Sequence, residues 1–165
     1  MIELNSEQII EYFKRSYVAV DGLWFVKLEE KYGFDAALDV DQEVWKAFPK
    51  IQARFLKSAG KLGNGIEALF ECLATKLNLE GFKFYAVKSG SQGSQGGFQI
   101  SISDCPWHNL MLKSGREKLS GKIGTLVCNT EYSVWTSEFG DNIKFELKEQ
   151  ICKGSPSCIL QFASI

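Results

Sequence analysis

Residues 143–162 read Ile-Lys-Phe-Glu-Leu-Lys-Glu-Gln-Ile-Cys-Lys-Gly-Ser-Pro-Ser-Cys-Ile-Leu-Gln-Phe. From Ile143 to Leu147 apolar and charged residues alternate, which is the period of a strand with one buried face. The segment Lys153–Pro156 contains the residue types that favour turns. The stretch therefore predicts two consecutive strands, residues 143–149 and 158–162, joined by a short loop.

The same period of two occurs earlier in the chain. Apolar and polar residues alternate in Phe82–Ala86 and again in Phe98–Ile102. Between them lies Gly90–Gly97, a segment of Gly, Ser and Gln that is typical of a flexible hairpin connection. These two segments bring the number of predicted strands to four.

The first 80 residues have the period of helices. Asn5 followed by Gln8 is a capping box, and the helix that it opens is predicted to end at Gly33. Ile9, Phe13, Tyr17, Val20, Trp24 and Leu28 lie on one face of that helix. A second helix is predicted from about Asp39, with Val44, Phe48, Ile51 and Phe55 on a stripe. Pro49 is expected to kink or split it.

Three further helices complete the prediction. One begins at Asn64 and ends at Gly81, a short one follows Cys105 and reaches Arg116, and a longer one covers residues 122–139. The order of elements predicts an α+β fold, with a helical N-terminal half and then a small antiparallel sheet of about four strands covered by helices. We expect a single domain over residues 1–165, with a helical region (1–80) and a Cys-rich sheet-and-helix region (81–165).

Composition excludes several classes of function. Nineteen Lys and Arg face twenty Asp and Glu in 165 residues, without the basic surplus of a nucleic-acid-binding protein. The N-terminus lacks the pattern of a signal peptide, and no apolar run is long enough to cross a membrane. We therefore expect a cytoplasmic protein that contacts neither nucleic acid nor membrane. Its five cysteines are expected to be reduced.

Late cysteines and one carboxylate form a candidate metal site: Cys128, Glu149, Cys152 and Cys158. Strict alternation places Glu149 on the apolar face of its strand and Cys158 on the apolar face of the next. Three thiolates and a carboxylate suit tetrahedral Zn²⁺, and a closed set of four protein ligands favours a structural role. Cys105 is an alternative fourth ligand, which would make the site all-sulfur. The other interpretation is that these cysteines are small buried apolar residues.

Cys105 and His108 are also the candidate catalytic residues. The chain has a single histidine, and it follows Cys105 by three positions. Either side chain could act beside a metal ion that has an open coordination position. The alternatives are a strand-end cysteine packed under Trp107 and a histidine that makes an ordinary hydrogen bond.

The segment from Cys128 to Phe162 resembles the 4-vinyl-reductase-type domain, which is also the effector-sensing part of aromatic-responsive bacterial transcription activators. The resemblance rests on a helix-borne Cys128, on Glu149-Gln-Ile-Cys152, on Gly154 and on Cys158-Ile-Leu-Gln-Phe162. In the sensor members the four matching residues hold zinc. The whole chain also looks like a group of prokaryotic proteins related to hydrolases of L-2-amino-thiazoline-4-carboxylate.

Two functions are predicted from these features. The first is a zinc-stabilised, sensor-like domain that binds a small hydrophobic or aromatic molecule, with a homodimer as the expected assembly. The alternative is a metal-dependent hydrolase that acts on a small thiazoline or amide-like substrate.

Overall fold

The computed structural model describes residues 1–89 and 96–165 and has the predicted α+β fold. The predicted loop Gly90–Gly97 lies largely outside the described residues. The helices and strands are α1 (Ser6–Tyr32), α2 (Phe34–Ala59), α3 (Ile66–Glu80), β1 (Lys83–Ser89), β2 (Gly97–Asp104), α4 (Pro106–Lys113), α5 (Glu117–Ser137), β3 (Ile143–Glu149) and β4 (Cys158–Ser164). A short 3₁₀ turn, Ile151–Lys153, connects β3 to β4.

The chain forms two compact units, Met1–Glu43 and Val44–Ile165. The single domain over residues 1–165, with its helical region (1–80) and its Cys-rich sheet-and-helix region (81–165), stays a prediction. In the first unit, α1 begins with the predicted capping box: the Asn5 side chain accepts a hydrogen bond from the Gln8 N–H at 2.9 Å, and the Gln8 side chain accepts one from the Asn5 N–H at 3.0 Å. Helix α1 ends at Gly33, whose φ of 87° suits glycine.

Most side chains of the predicted apolar stripe of α1 are exposed. Ile9, Phe13 and Val20 are exposed, and the Trp24 side chain is 67% exposed. Tyr17 and Leu28, from the same predicted stripe, are half-buried. Four of the six residues of the predicted stripe are therefore exposed.

The boundaries of α2 and α3 differ from their predictions. Helix α2 begins at Phe34 and continues through Pro49 without interruption. The Pro49 ring is fully buried, and we attribute the unbroken helix to this packing, which offsets the missing hydrogen bond. Helix α3 has Gly65 as its N-cap instead of Asn64, whose side chain accepts a hydrogen bond from Lys57 Nζ at 2.9 Å.

The four strands form one antiparallel sheet in the order β1-β2-β4-β3. Its inner face consists of rows of apolar side chains that run across the strands. One row joins Phe98, Phe162 and Phe145, and the next joins Ile100, Leu160 and Leu147. Helices α3 and α5 pack against this sheet, and they contribute to the core Leu69, Leu73, Leu77 and Trp135. Phe139, which follows α5, belongs to the same core.

A charged group is buried in this core. Lys76 of α3 is 2% exposed and forms ion pairs with Glu131 of α5 and with Glu80, at 3.1 Å in the second case. The ammonium also lies over the rings of Phe82 and Tyr132. Burial alone would lower the pKa of Lys76, but the two carboxylates outweigh it and raise that pKa. Lys76 therefore stays charged at neutral pH.

Removing the cation should destabilise the second unit strongly. Lys76→Met would leave Glu131 without its cation in the core, and the loss of one partner of a buried pair typically costs about 3–5 kcal/mol. The free energy of unfolding from urea denaturation measures this. The double variant Lys76→Met/Glu131→Leu should recover most of the loss, because it removes both buried charges. If the single and double variants are equally unstable, the ion pair is not the cause.

Candidate functional site

Three chain segments that carry cysteines meet on the side of the sheet where β2 and β3 end and β4 begins. We call this side the cysteine edge. Strand β4 begins at Cys158, which pairs with Ile102 near the end of β2. Cys105 follows directly after β2, and β3 ends at Glu149, three residues before Cys152. Because neighbouring strands are antiparallel, the ends of β2 and β3 and the start of β4 lie on the same side. Cys105, Cys152 and Cys158 are therefore brought together by the topology.

Helix α5 brings the fourth cysteine to this edge. Cys128 lies on the same face of α5 as Gly124, one turn earlier. A Cβ atom added to Gly124 would stand 2.7 Å from Cys152 Sγ, and one added to Gly121 would stand 3.0 Å from the Cys152 carbonyl oxygen. The two glycines thus allow the 3₁₀ turn to lie directly on the helix backbone.

Backbone N–H groups point at two of the sulfur atoms. The N–H of Ile151 donates a hydrogen bond to Cys158 Sγ at 3.2 Å. Burial raises the pKa of Cys105 to about 11, although the N–H groups of His108 and Trp107 oppose this shift. Such contacts stabilise a thiolate relative to a thiol.

The thiols interact with one another electrostatically. Burial raises the pKa of Cys128 well above its ordinary value, and the nearby charges of Glu131, Cys105, Cys158 and Cys152 raise it further. Burial also raises the pKa values of Cys152 and Cys158. Without a metal ion, these four cysteines are protonated, weakly polar side chains at neutral pH.

Glu149 does not share this environment, and its predicted inward orientation is wrong. The pairing of β3 with β4 is regular up to Leu147 opposite Leu160, and then a β-bulge places Glu149 opposite Ile159. The bulge changes the alternation of faces, so that Glu149 is exposed and Gln150 is buried. Gln150 Nε2 donates a hydrogen bond to the Gly124 carbonyl oxygen at 2.9 Å.

The predicted metal ligands thus divide into two groups. Cys128, Cys152 and Cys158 share one environment with the alternative ligand Cys105, whereas Glu149 faces away. Among residues 1–89 and 96–165, no group of three or more Cys, His, Asp or Glu side chains is arranged to hold a metal ion. The four thiols suit zinc chemically, but they would have to close around an ion to coordinate it.

The two candidate catalytic residues have different partners. His108 Nδ1 lies 2.8 Å from the hydroxyl oxygen of Ser120, which joins α4 to α5. Cys105 is the N-cap residue of α4, with Pro106 at the first helical position. Its raised pKa keeps the free thiol protonated, and the protonated form is a poor nucleophile.

Aromatic side chains lie next to the cysteine edge. Trp107, two residues after Cys105, makes an edge-to-face contact with Trp45, with the ring centroids 6.2 Å apart. Trp45 in turn contacts Phe48 in the same geometry at 5.9 Å. We call Trp45, Phe48 and Trp107 the aromatic cluster.

Two residues of this region were missed by the sequence analysis. Gln150 gave no signal because its burial depends on the bulge. Lys76 was missed because a lysine between apolar helix positions usually belongs to a solvated face. The spacing of Lys76 and Glu80 by four residues was a signal of an ion pair, but not of its burial.

Fold and site together describe an α+β domain that carries cysteines at one side of a four-stranded antiparallel sheet. The fold is similar to that of the crystal structure of the phenol-responsive sensory domain of the transcription activator PoxR with phenol. The TM-score is 0.55 with 12% sequence identity, over 99% of this chain and 76% of that chain. This agrees, for the fold alone, with the predicted resemblance to sensory domains of activators.

The chain belongs to the DUF6125 family, a family of unknown function, whose profile matches residues 3–157. No curated protein matches the chain. Within the described part of the chain, no helix is apolar and long enough to cross a lipid bilayer. The 4-vinyl-reductase-type assignment, the bound zinc and the cytoplasmic location stay predictions.

Proposed function

We propose that this protein is a sensor-like domain that binds a small aromatic molecule and is stabilised by zinc. The observation that carries the proposal is the similarity of its fold, over nearly the whole chain, to a sensory domain that responds to phenol. Fold alone does not define function. The proposal therefore also rests on the aromatic cluster and on the four thiols.

The aromatic cluster supports the class of ligand. Trp107 is half-buried, at the start of a short helix that begins at the cysteine edge. Aromatic rings favour edge-to-face and offset contacts with other aromatic rings, so a small ring could take the place of a side-chain neighbour. An indole N–H also offers a donor to a ligand hydroxyl.

Zinc would stabilise the fold by linking three of its elements. Cys128, Cys152 and Cys158 are the thiolate donors of the proposed site, and they come from α5, from the 3₁₀ turn and from β4. When bound, zinc supplies a cross-link between these three elements. This cross-link would replace contacts that a short loop cannot provide by itself.

The uncovered face of α1 supports the proposed homodimer. Ile9, Phe13, Val20 and Trp24 are exposed apolar residues on one face of α1, and exposed apolar surface of this kind marks protein interfaces. A second copy of the chain would present the same surface, which is what a two-fold interface requires.

The hydrolase alternative has no comparable support. His108 lies against Ser120, and the described residues around it give no observation that favours catalysis over ligand binding.

Ligand binding can be tested with phenol and a panel of other single-ring aromatic molecules. We expect a ligand to raise the melting temperature with concentration, because a molecule that binds only the folded state stabilises it; a concentration of 100 Kd gives about 2.7 kcal/mol. Trp107→Ala should abolish the effect. Tyr85→Ala, at an exposed position on β1, is the matched control and should keep it. If no member of the panel binds, the ligand class is wrong.

Zinc binding can be tested by elemental analysis of protein purified without chelators. We expect an equimolar amount of zinc in the wild type and a large loss in Cys152→Ser. Cys72→Ala is the control, because Cys72 is buried in α3 among Leu69 and Leu73 and should not affect the metal. A wild type without zinc, or a Cys152→Ser variant that retains all of it, contradicts the proposed site.

The homodimer can be tested by light scattering. We expect the wild type to be dimeric and Phe13→Asp to be monomeric, since a carboxylate in the apolar face would be desolvated on association. Leu79→Asp alters an equally exposed leucine of α3 and should leave the dimer intact. A wild type that stays monomeric at all concentrations rejects the proposal.

A further inference from the structure

We infer that helix α2 supplies a second contact surface of the homodimer, at which α2 of one copy pairs with α2 of the other in antiparallel orientation. The inference rests on the proposed homodimer and deepens it, because it assigns the element that fixes how the two copies face each other. Two observations carry it: an exposed apolar stripe on α2, and the distribution of charge along the same helix.

Helix α2 has apolar side chains on two of its faces. Trp45, Pro49 and Ala53, spaced by four residues, are buried. A second set recurs at steps of three and four residues on the other side of the helix, and we call it the outer stripe: Val44, Ala47, Ile51 and Phe55. All four are exposed, and Phe55 is 68% exposed. Single exposed apolar residues are ordinary, but a set at helical spacing on one face is typical of a contact surface.

Charge is segregated along the same helix. Residues 34–43 contain four acidic side chains and no basic one, and residues 44–59 contain four basic side chains and no acidic one. Acidic residues in the first turn and basic residues in the last turn suit the helix dipole, but that effect falls off within one turn of each end. The dipole therefore does not account for Glu43 and Lys50, which lie in the middle of α2.

Within a single helix this distribution is unfavourable. Asp39 lies four residues before Glu43, and like charges at this spacing repel each other. The same holds for Lys46 and Lys50. An antiparallel second copy reverses the order of the charges, so the acidic half of each helix lies beside the basic half of the other.

Glu43 and Lys50 define the register of the pair. Helix α2 is continuous, so the positions of its residues about the helix axis follow from helical geometry alone. Each of the two residues precedes a member of the outer stripe by one position, so both flank the stripe on the same side, two turns apart. In an antiparallel pair centred between them, Glu43 of each copy lies beside Lys50 of the other. The two-fold axis then passes near Ala47, whose short side chain lets the two helices approach closely.

The distribution of charge also selects the occupant of the outer stripe. An acidic helix of another protein, or an anionic lipid surface, would be attracted by residues 44–59 and repelled by residues 34–43. A second copy of α2 matches both halves. The second copy is therefore the occupant.

Charge reversal tests the pairing. By symmetry, Glu43→Lys or Lys50→Glu changes two attractive contacts into two repulsive ones, so each variant alone should raise the dimer dissociation constant about tenfold or more. An equimolar mixture of the two variants should form a heterodimer with nearly the wild-type constant, because each reversed residue then meets the opposite charge. Analytical ultracentrifugation over a range of concentrations measures both, and circular dichroism checks that each variant is folded.

The matched controls lie on another helix. Glu117→Lys and Lys118→Glu make the same changes of charge at exposed positions of α5 and should dimerise as the wild type does. The double variant Glu43→Lys/Lys50→Glu restores opposite charges within a homodimer and should also dimerise as the wild type does.

The outcomes separate this inference from the homodimer itself. A wild-type dimer that neither reversal weakens overturns the α2 pairing and leaves the homodimer intact. Two weakened variants whose mixture does not form a dimer also overturn the pairing. A wild type that stays monomeric overturns both, and if it sediments with phosphatidylglycerol vesicles, the basic half of α2 binds an anionic surface instead.

Discussion

The hydrogen bond from Gln150 to the Gly124 carbonyl oxygen connects the irregular end of β3 to the middle of α5. It follows from a β-bulge that makes Gln150 the buried residue, and it fixes where the chain leaves the sheet. The 3₁₀ turn that follows lies on Gly121 and Gly124, which have no side chains to hold it away. The position of Cys152 relative to Cys128 depends on this contact.

The regular parts of the fold could be predicted because their causes are local. The alternation in β3 gave its boundaries to the residue, and the capping box placed the start of α1. The misplaced features have non-local causes. The continuity of α2 depends on the packing of Pro49, and the exposure of Glu149 depends on the pairing of β3 with β4. A period of two cannot reveal a bulge, because a bulge is a property of two strands.

Of the candidate site, the sequence predicted the cysteines but not the orientation of the carboxylate. Cysteines carry a chemical signal in their spacing, and the sheet brings Cys152 and Cys158 to one edge with Cys105. Glu149 was assigned to the site by the alternation of apolar and polar residues. This alternation ends at the bulge after Leu147, so it does not give the orientation of Glu149. A site of this kind can be anticipated from its sulfur atoms, while its remaining ligand depends on the register of the sheet.

The buried pair of Lys76 and Glu131 has an evolutionary consequence. A substitution of either residue alone gives a protein with an unpaired charge in its core. The two positions are therefore expected to drift together across descendants, by paired or compensated replacement, and not independently. Substitutions in α3 and α5 would therefore be correlated through that single contact.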